Sequence, residues 1–435
     1  MSTQTILPVD QDAVARLSQQ NQEPEWLAAL RAEALELAGS LELPKLEKTR
    51  IDRWNLDHYG SYKQAAVAAS IQDLPQAAQA LLQTEGEQAE GGVIVQQGSS
   101  ITFKRLSEEL AKQGVIFTDL QTAAREHGEL VRKHLFSVVQ KDENRLTALH
   151  AALWNGGVFL YVPKNVEVSV PLQALFIAEA GATFAPHVLV VADTNSSVTY
   201  VDNYISSEAG ELTHNGVVEV VAKPGSKVTF ASVHDMAPSV TELTYRRAHV
   251  ENDARIEWII GEMSYGNIMS DTATQLLGNG SSSDATVINV GTGSQKLNIT
   301  TRAVHFGKNT PSQMITRAVM RDEATAIING ITKIEKGATK ANGEQTERVL
   351  MLSPKARGDA NPILLIDEDD VKAGHAASVG QVNPEYVYYL MSRGISKEEA
   401  QKLIIYGFLA PVVEEIPLDK LKDQLQSLVE RKLGQ

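Results

Sequence analysis

Cysteine is absent from all 435 residues. That excludes disulfides, so the fold needs no oxidising compartment. It also leaves no thiolate to offer iron, zinc or a substrate. No run of about 18 apolar residues occurs, which excludes a transmembrane helix. The opening residues Met1–Gln20 lack a basic segment followed by an apolar one, so no secretory signal is expected and the cytoplasm is the expected compartment. Positive charge is in deficit: 40 Lys and Arg stand against 54 Asp and Glu, a formal net charge of -14. A general binder of nucleic-acid backbones needs a basic face, and this composition argues against one. Nucleotide chemistry is missing too. Gly291–Lys296 is the nearest approach to a phosphate loop, and its spacing cannot wrap a phosphate. No dinucleotide fingerprint, nucleophile elbow or zinc-protease helix is present. Work driven by a nucleotide would have to come from a partner.

What is there is an ordinary globular composition, 43% hydrophobic and 22% charged, enough for a large core in two or three structural units. The chain divides by pattern. Residues 1–156 read as a mixed region in which helix dominates, with Trp26, Leu27, Leu30, Ala34 and Leu37 on one helical face. Two short strands are expected after Gly92 and Ser100, then helices over 106–113, 119–135 and 146–154.

Residues 157–380 change character. Short β-branched runs recur without an intervening helix, and several open on the same device, a polar or glycine turn before a β-branched, polar, aromatic triplet. Asn195–Tyr200, Gly225–Phe230 and Asn252–Trp258 are examples, about thirty residues apart. A repeat of that length points to stacked coils, a parallel β-solenoid with right-handed crossovers. Residues 381–435 are helical again. Asn383 and Pro384 start one helix, Ser396 with Glu399 forms a capping box for a second, and Pro417 suits the first turn of a third. These helices could cap the solenoid or dock a partner.

The densest polar constellation is Asn361–Gly380. Ile363–Ile366 reads as a buried strand. Four acids follow at 367–370, then His375 among Gly374, Ala376 and Ala377, which leave room for a close approach. Imidazole is a common metal ligand and carboxylates suit ferrous iron, which makes His375, Asp369 and Asp370 the candidates. An acidic run after a strand is also ordinary for a solvated turn, and a single histidine is ordinary as a structural residue. The other histidines pair poorly along the chain, and the four tryptophans read as core.

Gly337–Gly343, Arg348–Pro362, Asp369–Gly380 and Tyr389–Ile395 resemble the core of the SufB/SufD iron–sulfur cluster assembly family, and Gly156–Val168 resembles the segment that opens that core. The resemblance spans essentially the whole chain. It implies a mainly β fold, a right-handed parallel β-helix between helical end regions. It implies a non-catalytic scaffold subunit that pairs with SufB and docks the ATPase SufC through about 384–430, with a transient iron–sulfur cluster at the SufB interface and none bound by the isolated chain. The B-type paralogue carries a cysteine used in cluster building. This chain has none and so reads as D-type, with His375 at the position of the family's assembly-site histidine. Some D-type members carry a cysteine two residues earlier, where Ala373 stands here. The resemblance also allows a homodimer of the isolated chain. Two rival expectations remain: a purely structural partner of SufB, and a β-helix carbohydrate-active enzyme using the 367–370 acids, against which the missing secretion signal counts.

Overall fold

The computed structural model describes residues 8–82, 91–206, 210–414 and 419–433. Its helices are α1 (Gln11–Gln20), α2 (Glu25–Ser40), α3 (Gln76–Leu82), α4 (Glu108–Lys112), α5 (Leu120–Glu126), α6 (Gly128–His134), α7 (Arg145–Leu153), α8 (Pro384–Ser392), α9 (Lys397–Val413) and α10 (Asp419–Lys432). The strands are β1 (Gly92–Gln97), β2 (Ser100–Leu106), β3 (Ile116–Thr118), β4 (Val158–Val162), β5 (Leu172–Ala178), β6 (His187–Ala192), β7 (Ser197–Ser206), β8 (Leu212–Ala222), β9 (Lys227–Asp235) and β10 (Val240–Val250). They continue with β11 (Arg255–Glu262), β12 (Ile268–Leu276), β13 (Ser282–Gly291), β14 (Lys296–His305), β15 (Pro311–Met320), β16 (Thr325–Ile334), β17 (Asn342–Met351), β18 (Arg357–Ile366) and β19 (Lys372–Gln381).

From β4 onward, successive strands alternate between two sheets. One runs β19-β17-β15-β13-β11-β9-β7-β5-β1-β2 and the other β18-β16-β14-β12-β10-β8-β6-β4-β3. All pairings are parallel except β1 with β2 and β3 with β4. This is the expected solenoid, with one strand in each sheet per coil. Residues before 157 supply β1, β2 and β3 to its first end.

The turn device recognised in the sequence has a backbone cause. Asn165, Asn195, Gly225, Asp253, Gly280, Asn309 and Lys340 all have positive φ, and they recur every 27 to 31 residues. Each donates its N–H to a turn carbonyl one coil further on, from Asn165 to Thr194 through to Lys340 with Asp370. A left-handed turn suits Gly, Asn and Asp, which explains the residue types at this corner.

Because the pairing is parallel and in register, equivalent inward residues stack in columns. Tyr200, Phe230 and Trp258 form such a column with ring centroids 5.0 and 5.1 Å apart. Aromatic rings at that spacing in a dry interior add to the effect of area burial. Trp26, Trp54, Trp154 and Trp258 all join cores, Trp26 only partly buried.

Two clamps fix the helical regions to the solenoid. At the first end, the Glu219 carboxylate of β8 accepts the N–H groups of Phe136 (2.6 Å), Val138 (2.7 Å) and Val139 (2.9 Å). His150 Nδ1 faces the Asn215 carbonyl at 2.8 Å, so it carries the proton and leaves Nε2 to accept from His187 Nδ1 at 3.0 Å. A further proton must then lie between His187 Nε2 and Glu219 Oε2, 3.0 Å apart. Along the flank, α9 and α10 lay Ile405, Leu409, Leu421, Leu425 and Leu428 on Val233, Ile259, Ile288 and Val319 of the ten-stranded sheet. The C-terminal helices therefore cover the side of the solenoid rather than its end. Lys432 enters between coils and donates to the Ser264 and Val290 carbonyls, both at 2.5 Å, and burial pulls its ammonium down to about 7. The Ser396–Glu399 capping box is present at the start of α9. Pro417 lies outside the described residues.

Glu219→Ala should lower unfolding stability by roughly 3 kcal/mol or more, since three buried N–H groups lose their acceptor at about 1–3 kcal/mol each. The midpoint of chemical denaturation measures it, and an unchanged midpoint would show that this clamp holds nothing.

Candidate functional site

His375 ends a column. The register links Leu172, Tyr200, Phe230, Trp258, Ala285, Met314, Gln345 and His375, one residue per coil of the ten-stranded sheet. The first seven are buried and His375 is exposed. The position is an inward one, and it is open only because no coil follows. β18 and β19 end their sheets, and among the described residues nothing pairs with their free edges. Ile363–Ile366 is a strand as expected but is not buried. Ile363, Leu365 and Ile366 are 37%, 47% and 43% exposed, because the last coil has no neighbour on one side.

The end is lined unlike the coils behind it. The inward residues of β19 beside His375 are Ala373 and Ala377, and those of β18 include Gly358 and Ala360, all small. Beneath them lie polar groups. Gln345 accepts from the Thr332 hydroxyl at 3.0 Å. Glu347, whose register partner is Ala377, is 1% exposed, and neither of its carboxylate oxygens has a hydrogen-bond partner among the described residues. Burial pushes its carboxyl up to about 7. The side chain reaches across the lumen to Gly330 of β16, where a Cβ would stand 1.8 Å from Oε1.

Asp369 and Asp370 are placed elsewhere. Both sit in the turn between β18 and β19, before the strand that carries His375. Asp369 is fully exposed, 3.9 Å from Lys336 Nζ, and the Asp370 carbonyl closes the turn ladder by accepting from Lys340 at 2.6 Å. Five residues of extended chain separate Asp370 from His375, about 16 Å. The structure does not bring the aspartates to the histidine.

Histidines that pair poorly along the chain do meet in space, a correction to the sequence reading. His150 meets His187 as described, and His214 and His234 lie 5.7 Å apart with Glu242 between them. The donor atoms of His214, His234 and Glu242 come within 4.8 Å of one another. Hydrogen bonding closes this group against a metal. Arg246 Nη2 stands 2.8 Å from His234 Nε2 and can only donate, so the ring proton is on Nδ1, directed at Glu242 Oε2 at 2.7 Å. Arg246 also holds Glu262 at 3.1 Å. Although burial alone would raise the Glu262 carboxyl, Arg246 and His234 outweigh it and hold it below the usual range. Sequence distance hid these pairs. Offsets near thirty, the coil length, would have disclosed them, and Glu347 lies 28 residues before His375.

A cavity of about 580 Å³ at the first end, lined by Tyr62, Lys104, Asp119 and Arg125, is remote from His375, and its Lys104 and Asp119 are already paired at 3.1 Å. Among the described residues no helix is long and apolar enough to cross a membrane.

Comparison with known proteins agrees along the whole chain. Residues 175–408 match the family model of the SUF system FeS cluster assembly SufBD core domain, and residues 15–174 match the SufBD protein N-terminal region. The iron–sulfur cluster assembly protein SufD of Bacillus subtilis is 49% identical over 438 residues, covering 100% of both chains. Iron–sulfur cluster assembly SufBD family proteins of Staphylococcus epidermidis and Staphylococcus haemolyticus are 28% and 29% identical, each covering 94% of this chain and 90% of the relative.

If the Glu347 carboxylate occupies the space beside Gly330, Gly330→Ala should lower the thermal midpoint by several degrees, an overpacking cost of about 1–3 kcal/mol. Adding Glu347→Ala should restore most of the loss. A double variant no more stable than Gly330→Ala alone would remove Glu347 from that position.

Proposed function

Because the chain belongs to the SufBD family of iron–sulfur cluster assembly proteins, in its D-type branch, we propose that it is a non-catalytic cytoplasmic scaffold subunit. It pairs with a B-type subunit through the open end of its solenoid and presents His375 there to the nascent cluster. The observation that carries this reading is the position of His375: an inward residue left uncovered by the absence of a further coil. Two unpaired edges, β18 and β19, flank it. Free backbone donors and acceptors on a parallel edge are a template for another chain. The exposed Ile363, Leu365, Ile366 and Val379 add apolar area to the same end. A partner seated there would turn the open end into an enclosed chamber with His375 in its wall. With no cysteine on this chain, thiolates for the cluster come from the partner, and imidazole is what this subunit adds.

The C-terminal helices support the second half of the proposal, docking of the ATPase SufC. Their inner faces are spent on the sheet. Their outer faces carry Tyr386, Tyr388 and Tyr389 at 63%, 75% and 57% exposure, with Met391 and Leu403 nearby. Exposed tyrosines in a cluster are typical anchors of a protein interface. Since α9 and α10 pack across several coils of one sheet, a pull on them acts on the solenoid as a body and so on its open end.

Two measurements test the two halves. In the reconstituted three-protein complex, His375→Ala should leave assembly and ATP hydrolysis intact and abolish cluster formation, followed by anaerobic absorption spectroscopy. Unimpaired cluster formation would reduce the subunit to a structural prop. Tyr388→Ala should weaken ATPase binding about tenfold or more, the effect of losing an interface anchor of about 2 kcal/mol, with the thermal midpoint unchanged. Wild-type affinity in a calorimetric titration would move the docking surface elsewhere.

A further inference from the structure

We infer that Glu347 is a second ligand of the open-end site, and that its carboxylate and the His375 imidazole together take one hard divalent cation, ferrous iron in cluster assembly. The inference rests on the reading of His375 given above and adds to it a residue that neither a motif nor the exposed surface discloses.

The first ground is the state of the carboxylate. A carboxylate removed from water without a donor or counter-charge is among the least favourable arrangements in a protein interior. The other two glutamates of the lumen avoid it: Glu242 faces His234 at 2.7 Å, and Glu262 faces Arg246 at 3.1 Å. Glu347 alone of the three has no partner at either oxygen among the described residues. A buried acid left unmatched in a chain that matches its other lumenal glutamates calls for a cation from outside.

The second ground is placement. Glu347 lies in the penultimate coil, directly beneath Ala377, and His375 is two residues from Ala377 on the same face of β19. Neighbouring strands lie about 4.8 Å apart, and two residues of strand span about 6.6 Å. Both side chains are long enough to meet over that diagonal. Gly330 on the opposite sheet gives the carboxylate its room, since any Cβ there would collide with Oε1. Above it the last coil offers only Ala373, Ala377, Gly358 and Ala360, which do not seal the lumen as the aromatic and aliphatic columns do further back. The result is a cup with a carboxylate in the floor and an imidazole at the rim.

The third ground is the chemistry of that pair. One nitrogen and one carboxylate suit a divalent first-row ion better than they suit a preformed sulfide cluster, which prefers thiolates. Two ligands from this chain leave most of the coordination shell open to water or to groups of the chain that closes the end. The cup can thus hold an ion while a partner completes its shell.

Manganese(II) is the probe, because its hydrated electron paramagnetic resonance signal disappears on binding. The experiment uses the full chain in complex with its B-type and ATPase partners, without ATP. Glu347→Gln keeps the shape of the side chain and removes its charge. It should weaken manganese binding by about tenfold or more, the scale of loss on removing groups that support a metal, as should His375→Ala, while the thermal midpoint of Glu347→Gln stays at or above that of the wild type. Should that variant fold poorly, Glu347→Asp, which withdraws the charge by one methylene, gives the same readout. Wild-type binding by Glu347→Gln with loss in His375→Ala overturns the Glu347 inference and leaves the His375 reading standing. Wild-type binding by both variants overturns both. No manganese uptake by the wild-type complex, or loss in Glu347→Gln alone, overturns the shared ion.

Discussion

Each coil of this protein is covered by the next one. The in-register parallel ladder is the constraint from which the rest follows, because it puts residues of equal rank in successive coils directly over one another. A side chain's burial is then decided by its neighbour one coil on, and much less by its own polarity. Tyr200 is dry because Phe230 follows it, and Gln345 is dry because His375 follows it. His375 has no successor. A chain with no thiol and an acidic surface gains a reactive-looking group by ending a column, without any dedicated loop or pocket.

The same constraint explains what could be read from the sequence. The corner turns were legible because a left-handed backbone restricts residue type at every coil, so Asn, Gly and Asp return at nearly fixed spacing. The helix starts were legible because capping is local: Ser396 and Glu399 need only each other. The identity of β18 as a strand was legible, and its exposure was not. Ile363–Ile366 has the composition of a core strand, and nothing within four residues records that the stack stops there. The histidine pairs and Glu347 were hidden for a related reason. Their partners lie a coil away, where neither helical nor strand periodicity looks.

The C-terminal helices belong to a different regime. Their inner residues serve the sheet and their outer tyrosines serve no part of this chain. Lys432 shows how firmly the inner side is held, since a lysine is costly to bury and is accepted here because carbonyls of two different coils surround its ammonium. A rigid inner seam with an unspent outer face is what a transmitting element needs. Force applied outside is delivered to a stack that has little freedom to absorb it.

The ladder of left-handed turns has a consequence for how such a chain can change over generations. Each turn N–H is tied to the corner one coil ahead, so a single inserted residue would break a tie and reverse every later side chain of that strand. Growth or shrinkage is tolerated only in units of a whole lap. Duplicating a lap in mid-stack would lengthen the body by one strand spacing and carry the terminal histidine outward with its orientation unchanged. The reach of the molecule and the identity of its tip can therefore be inherited separately.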